Sequence, residues 1–493
     1  MNRPLSQLLA VSGLSAPSAP GFAIDPAISG VTADSRQVRP GMLFVAIPGT
    51  RADGRAFVPA AIAAGAAALV VPAGTPADGI DLPVITAAEP RRALALLAAA
   101  FAGAQPDHVV AVTGTNGKTS TVDFLRQIWR FQGRQAASVG TLGLIADVPL
   151  PDCGPVLTTP DSVGLARALA AMAGGGISDV ALEASSHGLE QHRLDGLRLS
   201  AAGFTNLTRD HLDYHGTLDA YRAAKLRLFA DILPPGALAA ANADMDSATL
   251  DALRAIAARK QMELRLVGTA GDAIRLLDST PLPEGQRLRI AGAGVTRDLD
   301  LALPGRFQAD NALLAAALAA PGTQGLAAAI DLLPSLTGVR GRMERAALLA
   351  NGAAAYVDYA HTPDALARLL DALRPHATGR LIAVFGAGGD RDRGKRPLMG
   401  HEAARRADIA IVTDDNPRTE DPAFIRGEVL SGAPGAIEIP DRARAIAEGL
   451  SMLRPGDVLV VAGKGHEQGQ TIGTTTHPFD DASVIRTLAG VAA

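Results

Sequence analysis

Residues 109–120 read VVAVTGTNGKTS, and this stretch decides the fold of the middle of the chain. The run Val109–Thr113 is apolar and rich in β-branched residues, as is typical of a strand buried on both faces. The glycine-containing turn Gly114–Gly117 follows at once, and apolar residues from Val122 to Trp129 then recur at helical spacing. A strand, a glycine turn and a helix in this order predict a parallel sheet with crossover helices.

The turn between this strand and helix has the composition of a phosphate-binding loop. Backbone N–H groups of a tight glycine turn and the positive end of a helix dipole together stabilise a polyphosphate. Lys118 can reach the β- and γ-phosphates, and the Thr119 hydroxyl can hold Mg²⁺. The usual motif has a glycine where this chain has Val112, so the loop is a short variant, and an ordinary βα turn is the alternative.

Length and composition restrict the class of protein. The chain has 493 residues, enough for roughly three domains of about 150 residues. It carries 46 Lys and Arg against 50 Asp and Glu, a formal charge of −4 that provides no basic surface for nucleic acid or anionic membrane. The single cysteine excludes an internal disulfide. We expect no signal peptide and no membrane span, and hence a cytoplasmic protein. We also expect a monomeric enzyme with small-molecule partners, no nucleic-acid partner and no membrane partner.

Strands and helices alternate in three blocks along the chain. The first block mixes short apolar runs such as Leu43–Ile47 and Ala68–Val71 with Pro and Gly turns, and the segment 105–107 has the composition of a linker. The third block begins near Gly338 and repeats the alternation of the second. We therefore predict an α/β protein of three domains, at residues 1–106, 107–338 and 339–493.

Two polar residues at the ends of predicted strands are candidate magnesium ligands. Glu183 closes the predicted strand Val180–Glu183, and the predicted strand Ala201–Asn206 leads to His211. The carboxyl ends of parallel strands meet at one edge of the sheet, where Lys118 is also expected. For His211, a loop histidine that caps a helix or forms a hydrogen bond is the alternative.

Lys225 occupies an unusual position for a lysine. It lies in the middle of the apolar face of a helix predicted over Leu218–Leu233, with Tyr221 and Leu228 on the same face. A bare ammonium there loses hydration, so it needs an acidic partner or a changed charge. Extension of the amine to the edge of the face is the alternative.

Three charged loops follow predicted strands of the last block: Gly386–Lys395, Asp414–Arg418 and Gly463–Glu467. If these strands are parallel, the loops share one edge of the sheet. Arginine suits a ligand carboxylate and an acidic side chain suits a ligand ammonium, so such a pocket fits a zwitterion, with solvated surface loops as the alternative. The charged residues are Arg391, Arg393, Lys395, Arg418 and Lys464 with Asp390, Asp392, Asp414, Asp415 and Glu467.

The motifs, taken together and in order, resemble the Mur ligases of peptidoglycan synthesis. They are GTNGKTS, LTTPD, EASSHGL, DHLDYHGT, YRAAKLRLF, GRMER, VDYAHTPD, GGDRDRGKRPLMG, DDNPR and AGKGHE, and the resemblance extends from Asp34 to Glu467. It implies an N-terminal UDP-binding α/β domain, a central P-loop ATPase-like domain with a parallel sheet and a C-terminal Rossmann-like α/β domain.

The resemblance implies an ATP-dependent amide ligase. Such an enzyme phosphorylates the D-Glu γ-carboxylate of UDP-N-acetylmuramoyl-L-Ala-D-Glu, and the amine of meso-2,6-diaminopimelate attacks the acyl phosphate. The DNPR sequence at 415–418 is characteristic of members that use diaminopimelate, because Arg418 can bind a carboxylate that lysine lacks. An L-lysine-adding ligase of the same family, a non-catalytic nucleotide-binding protein and a dehydrogenase are the alternatives. The dehydrogenase is disfavoured because Arg391 replaces the last glycine of a dinucleotide motif.

The resemblance also implies roles for single residues. The catalytic residues would be Lys118, Lys225, His211 and Arg342. ATP, a co-substrate, would contact Gly114, Thr115, Asn116, Gly117, Lys118, Thr119, Ser120, Asn311 and Asp358. Mg²⁺ would be held by Thr119, Glu183, His211 and Lys225, the lysine as a CO₂-derived carbamate.

Two substrate sites complete these implied roles. The UDP-linked dipeptide would contact Ser35, Thr50, Arg51, Ala52, Thr158, Thr159, Ser185, Gln191 and Arg193. Many relatives have a polar residue before the threonine pair, where this chain has Leu157. Diaminopimelate would contact Arg391, Asp415, Asn416, Pro417, Arg418, Gly463 and Glu467.

Overall fold

The structure, a computed structural model, describes residues 2–14, 25–49, 53–76, 79–148, 157–282 and 284–491. The chain divides into two compact units, Met1–Leu266 and Val267–Ala493. Strands and helices alternate in both units, which confirms the predicted α/β class. The domain boundaries at 106 and 338 stay a prediction.

The N-terminal part of the first unit holds a small parallel sheet. Its strands, in sheet order, are Gly30–Thr32, Met42–Val45, Ala68–Pro72 and Val84–Ala87. An antiparallel pair, Arg3–Pro4 with Ala27–Ile28, lies outside it. The helices are Leu5–Ser12, Val58–Ala63 and Pro90–Ala102, with 3₁₀ turns at Ser35–Gln37 and Gly54–Phe57.

A second sheet of the first unit carries the predicted phosphate loop. Its strands within this unit, in sheet order, are Leu238–Asn242, Ala201–Phe204, His108–Thr113, Asp179–Glu183, Ala136–Gly140 and Gly143–Ala146. The first five pair in parallel, and the last pairs antiparallel with its neighbour. The helices are Lys118–Phe131, Ser162–Gly174, Ser186–Glu190, Leu212–His215, Leu218–Arg227 and Ser247–Lys260. The parallel order confirms that Glu183 and the phosphate loop lie at the same sheet edge.

Two predicted elements of this unit differ from the structure. The strand predicted to reach Asn206 ends at Phe204, because Thr205 and Asn206 turn their hydrogen-bonding groups toward the phosphate loop. The helix predicted over Leu218–Leu233 is α-helical only to Arg227 and continues as a π-helix over Leu228–Ile232. Lys260 Nζ donates to the carbonyls of Phe229, Ala230 and Leu233, which satisfies backbone groups that the wider turn leaves open.

The second unit begins with strands that the sequence patterns did not predict. Ile274–Leu282, Gly285–Gly292 and Val295–Leu301 form an antiparallel meander. The strand Glu263–Gly268 precedes it and contains the division between the units. The helices Arg306–Leu318 and Gly322–Asp331 and the 3₁₀ turn Leu333–Ser335 follow.

A six-stranded sheet organises the rest of the second unit. In sheet order its strands are Glu344–Leu348, Ala354–Asp358, Val458–Ala462, Leu381–Phe385, Ile409–Val412 and Ile437–Glu438. All pair in parallel except the first, which is antiparallel. The helices are Pro363–Leu373, Lys395–Arg406, Pro422–Leu430, Arg442–Ser451 and Asp481–Ala489, with a 3₁₀ turn at Arg374–His376 and a hairpin of Gly469–Ile472 with Thr475–Pro478. This order confirms that the three charged loops share one sheet edge.

Buried apolar residues line both faces of this sheet. Leu381, Ala383 and Phe385 point into one core, and Ile382 and Val384 into the other. Such two-sided burial explains why the strands are continuous apolar runs in the sequence. Among the described residues, no helix is long and apolar enough to span a bilayer.

Candidate active site

The glycines of the phosphate loop, Gly114 and Gly117, both have positive φ, and residues after the neighbouring strand form hydrogen bonds with the loop. Gly114 has φ +143°, and a Cβ there would lie 1.8 Å from Thr205 Oγ1, so only glycine fits. Thr205 Oγ1 donates to the carbonyl of Asn116 at 2.6 Å, and Asn206 accepts from the amide of Thr115 at 2.8 Å. The loop therefore has a fixed shape ahead of the helix that starts at Lys118.

Lys118 and Lys225 meet at one carbonyl group of this loop. Lys118 Nζ donates to Gly114 O at 2.9 Å, and Lys225 Nζ donates to the same oxygen at 2.8 Å. Thr119 and Ser120, at the start of the helix, are buried. Lys118, at the helix N-terminus, and the backbone N–H groups of the loop form an electropositive site, as the binding of a polyphosphate requires.

Lys225 is buried, and no carboxylate of the described residues forms a salt bridge with it. Its exposure is 1%, which rules out extension to solvent, and its amine lies 4.4 Å from the centre of the Tyr221 ring. Burial, followed by repulsion from Lys118, lowers the pKa of Lys225 well below its ordinary value. A neutral amine is the form that adds to CO₂, so this environment fits the proposed carbamate. Leu218, the first residue of the same helix, is 40% exposed.

Glu183 is held at the end of its strand by a residue that the sequence patterns did not indicate. Its Oε1 accepts from the backbone N–H of Thr141 at 2.7 Å, and its Oε2 accepts from the hydroxyl of Thr141 at 3.2 Å. The side chain is buried, and a Cβ at Gly140 would lie 2.1 Å from Oε1. Thr141 follows a different strand, so only the sheet order brings it to Glu183.

The predicted magnesium ligands are chemically suitable. Thr119 and Glu183 provide hard oxygen atoms, which Mg²⁺ prefers, and Mg²⁺ in phosphoryl-transfer sites needs only one or two carboxylates beside substrate phosphates. Within the described ranges, no three His, Cys, Asp or Glu side chains form a metal cluster. A carbamate on Lys225 would add anionic oxygen atoms to this set.

His211 lies on a turn rather than inside the sheet edge. Its backbone has φ +51°, its side chain is 49% exposed, and its Nε2 is 3.6 Å from Asp210 Oδ2. It is the N-cap residue of the helix Leu212–His215, but its side chain forms no capping hydrogen bond. The ring centres of His211 and His187 are 5.2 Å apart.

Most of the residues predicted to bind the dipeptide form one hydrogen-bonded group. Arg193 donates to the carbonyl of Thr159 at 2.7 Å and to Gln191 Oε1 at 2.9 Å. Thr159 Oγ1 accepts from the amide of Ser185 at 3.0 Å, and Thr158 Oγ1 lies 3.1 Å from Thr141 Oγ1. Leu157 is 43% exposed beside this group.

The residues predicted to bind UDP lie in the N-terminal part of the first unit. Ser35 begins a 3₁₀ turn after the strand Gly30–Thr32, and Asp34 caps that turn. Thr50, Arg51 and Ala52 lie outside the described residues.

In the second unit, one network positions Arg342. Asn311 donates to Gln308 Oε1 at 3.3 Å, and Gln308 Nε2 donates to the carbonyl of Arg342 at 3.2 Å. The Asp358 carboxylate accepts from the amide of Met343 at 2.7 Å, and burial raises the pKa of Asp358. The Arg342 Nε is buried and has no hydrogen-bond partner among the described residues.

The three loops of the C-terminal sheet bring positively and negatively charged side chains to one sheet edge. Arg391 and Arg418 flank Gly388, where a Cβ would lie 3.8 Å from Arg391 Cγ and 3.0 Å from Arg418 Nη1. Opposite charge comes from Glu467, whose Oε2 accepts from Asn416 Nδ2 at 2.9 Å. The arrangement agrees with a pocket for a zwitterion.

Arg418 has an unusual backbone that the hairpin holds in place. Its φ is +51°, in the left-handed region that favours glycine. Its amide donates to Thr471 O at 3.1 Å, and its carbonyl accepts from the amide of Gly473 at 2.7 Å. Asp415, Pro417 and Gly463 complete the loops, and a Cβ at Gly463 would lie 2.6 Å from Asp415 Oδ2.

Comparison with known proteins identifies the family. Residues 27–111 match the Mur ligase family catalytic domain, residues 112–319 the Mur ligase middle domain, and residues 341–465 the Mur ligase glutamate ligase domain. The chain belongs to the Mur ligase family. These matches cover most of the sequence and agree with the sheet arrangement of both units.

Two curated relatives and one solved structure share a name. This Mur ligase is 54% identical, over 95% of its length and 97% of the relative's, to UDP-N-acetylmuramoyl-L-alanyl-D-glutamate–2,6-diaminopimelate ligase of Caulobacter vibrioides. It is 50% identical to the protein of that name in Agrobacterium fabrum, over 93% of its length and 92% of the relative's. A solved structure of a ligase with the same name covers 99% of both chains, with a TM-score of 0.73 and 33% identity.

Proposed function

We propose that this Mur ligase joins meso-2,6-diaminopimelate to the D-Glu γ-carboxylate of UDP-N-acetylmuramoyl-L-Ala-D-Glu at the expense of ATP. The observation that carries the proposal is the edge of the C-terminal sheet, a candidate pocket in which Arg391 and Arg418 flank Gly388. Diaminopimelate has a second carboxylate that needs such a cation, and L-lysine does not. The names of the similar proteins support the same substrate.

The reaction needs ATP because a carboxylate does not react with an amine. Transfer of the γ-phosphate gives an acyl phosphate, the amine adds to its carbonyl carbon, and phosphate leaves from the tetrahedral intermediate. Lys118 and Arg342 provide positive charge for the transferring phosphoryl group. The backbone amides of residues 114–117 and the helix that begins at Lys118 orient the nucleotide.

The magnesium ion and the carbamate belong to this proposal. Thr119, Glu183, His211 and a carbamylated Lys225 would hold Mg²⁺, which supplies charge neutralisation to the phosphates. The burial of Lys225 beside Lys118 supports the modification, because it favours the neutral amine. Lys118, Lys225, His211 and Arg342 are the proposed catalytic residues.

Binding of the other substrates is assigned on the same basis. Asn311 and Asp358 would contact ATP, and the group around Thr159 and Arg193 would bind the dipeptide. Ser35 with Thr50, Arg51 and Ala52 would bind UDP. We also propose three domains, at residues 1–106, 107–338 and 339–493. We propose that the protein is a cytoplasmic monomer without nucleic-acid or membrane partners. Light scattering would measure its oligomeric state.

The test offers two amines to one enzyme. Purified protein is incubated with UDP-N-acetylmuramoyl-L-Ala-D-Glu, ATP and Mg²⁺, with meso-diaminopimelate or L-lysine, and phosphate release and product mass are recorded. We expect product when the amine is diaminopimelate and no product when it is L-lysine. Product mainly with lysine would identify the alternative ligase, and product with neither amine would refute the proposal.

A matched pair of variants then tests the pocket. Arg418→Glu should abolish the use of diaminopimelate, because a carboxylate would face a carboxylate. Arg444→Glu, at an exposed position on the helix Arg442–Ser451, is the control and should leave the kinetics unchanged. Equal rates for both variants would contradict the role of Arg418.

A further inference from the structure

Lys464 is a fully buried lysine beside the pocket of the second unit. Its exposure is 0%, and it follows the strand Val458–Ala462 between Gly463 and Gly465. Its Nζ donates to Asn416 Oδ1 at 2.9 Å and to Glu467 Oε2 at 3.2 Å. The ammonium therefore joins two different loops of the pocket.

This contact determines which way the Asn416 amide faces. The backbone N–H of Thr471 also donates to Asn416 Oδ1, at 2.9 Å. An ammonium and an amide N–H can only donate, so the oxygen must face both, and the Asn416 Nδ2 must face the other way. There it donates to Glu467 Oε2 at 2.9 Å.

The same contact determines which part of Glu467 is available to a ligand. Oε2 accepts from both Lys464 and Asn416, whereas Oε1 accepts no hydrogen bond among the residues that the structure describes. The Glu467 side chain is 34% exposed, so its carboxylate is accessible from the pocket. An ammonium is the ligand group that such an acceptor binds.

We propose that Lys464 is a positioning residue of the amino-acid site, which holds Asn416 and Glu467 so that Glu467 Oε1 receives the ammonium of the amino-acid substrate. The inference rests on the proposed function for the identity of that substrate. The charge of Lys464 is needed as well as its hydrogen bonds, because an ionised donor binds a carboxylate more strongly than a neutral donor does.

Two substitutions separate the hydrogen bond from the charge. Lys464→Gln keeps an N–H donor for Asn416 Oδ1 and removes the charge, and Lys464→Met removes both. We expect the KM for diaminopimelate to rise about 10-fold in Lys464→Gln and about 100-fold in Lys464→Met, as the loss of charge-assisted hydrogen bonds implies. The kcat at saturating amine and the KM values for ATP and the UDP-linked dipeptide should stay within a few-fold of wild type.

Controls distinguish a role of Lys464 in positioning the site from a role in folding alone. Arg444→Met, on the surface of the same unit, should leave all three KM values unchanged. Thermal unfolding of each variant, monitored by circular dichroism, reports whether it folds. If Lys464→Met does not fold, the test uses Lys464→Gln, whose side chain is polar like that of lysine. A KM for diaminopimelate equal to that of wild type in both variants, or an equal rise in all three KM values, would overturn the inference.

The wild-type enzyme distinguishes this inference from the proposed function. If wild type uses diaminopimelate and the variants keep its KM, only the role of Lys464 fails. If wild type uses lysine instead, the same measurement is made with lysine, whose ammonium would bind Glu467 in the same way. If wild type uses neither amine, the proposed function fails and the role of Lys464 fails with it.

Discussion

Replacement of Lys225 by alanine tests whether this lysine acts as an amine or as a carbamate. The side chain is 1% exposed and its Nζ donates to Gly114 O at 2.8 Å. In the described part of the chain, no carboxylate forms an ion pair with it, and Lys118 lies at the same carbonyl group. A permanently charged amine would be costly there, whereas a carbamate would provide an anion for Mg²⁺.

The expected size of the effect follows from this position. A group that stabilises charge on the reacting atoms is worth about 100- to 1,000-fold in kcat, so Lys225→Ala should lose about that much. The substitution also removes a buried four-carbon chain and leaves space next to the phosphate loop. A short carboxylic acid fits such a space and restores the missing anion, so acetate or propionate should recover part of the activity.

Phosphate release and product mass measure this effect, with and without added acid. Sodium chloride at equal ionic strength is the control for salt, and Arg254→Ala, on an exposed part of the helix Ser247–Lys260, is the control for substitution. Full activity of Lys225→Ala would refute the reasoning. If sodium chloride restores as much activity as the carboxylic acid does, the carbamate is refuted. Lys225 would then act only as an amine.

Three further changes have defined outcomes. Gly114→Ala should prevent ATP binding in calorimetry and lower the melting temperature, because its Cβ would lie 1.8 Å from Thr205 Oγ1; normal ATP affinity would contradict the rigid loop. Asp358→Asn should lower the free energy of unfolding by about 1–3 kcal/mol and weaken ATP use, because the amides of Met343 and Ala360 donate to different carboxylate oxygens and the NH₂ group that replaces one of them cannot accept. Unchanged ATP kinetics would remove Asp358 from the positioning of Arg342. Lys225→Met should raise the melting temperature at pH 7 in CO₂-free buffer, because burial lowers the pKa of Lys225 and the unfolded chain binds the proton more tightly. That gain should vanish as the pH approaches the ordinary lysine pKa of 10.5, and a gain independent of pH would contradict the assignment.

Local patterns predicted the parts of the site that a single segment builds. The phosphate loop follows from residues 109–120 alone, and the odd position of Lys225 follows from helical spacing within one segment. The parallel order of the charged loops followed from the alternation of strands and helices.

Contacts between distant segments were not predictable in the same way. Thr141 is 42 residues from Glu183, and no local pattern marks it as a partner. The π-helix at Leu228–Ile232 depends on Lys260, and the left-handed Arg418 depends on Thr471. These features arise from packing between segments, which periodicity and composition do not describe.

The hairpin beside Arg418 has a consequence for the evolution of substrate choice. Thr471 and Gly473 hydrogen-bond the backbone of Arg418 at φ +51°, so the conformation of residue 418 and the shape of the hairpin depend on each other. A single substitution at 418 should give a poor diaminopimelate enzyme rather than a good lysine enzyme. We expect laboratory selection for the other amine to succeed only when it varies residues 415–418 and 469–478 together.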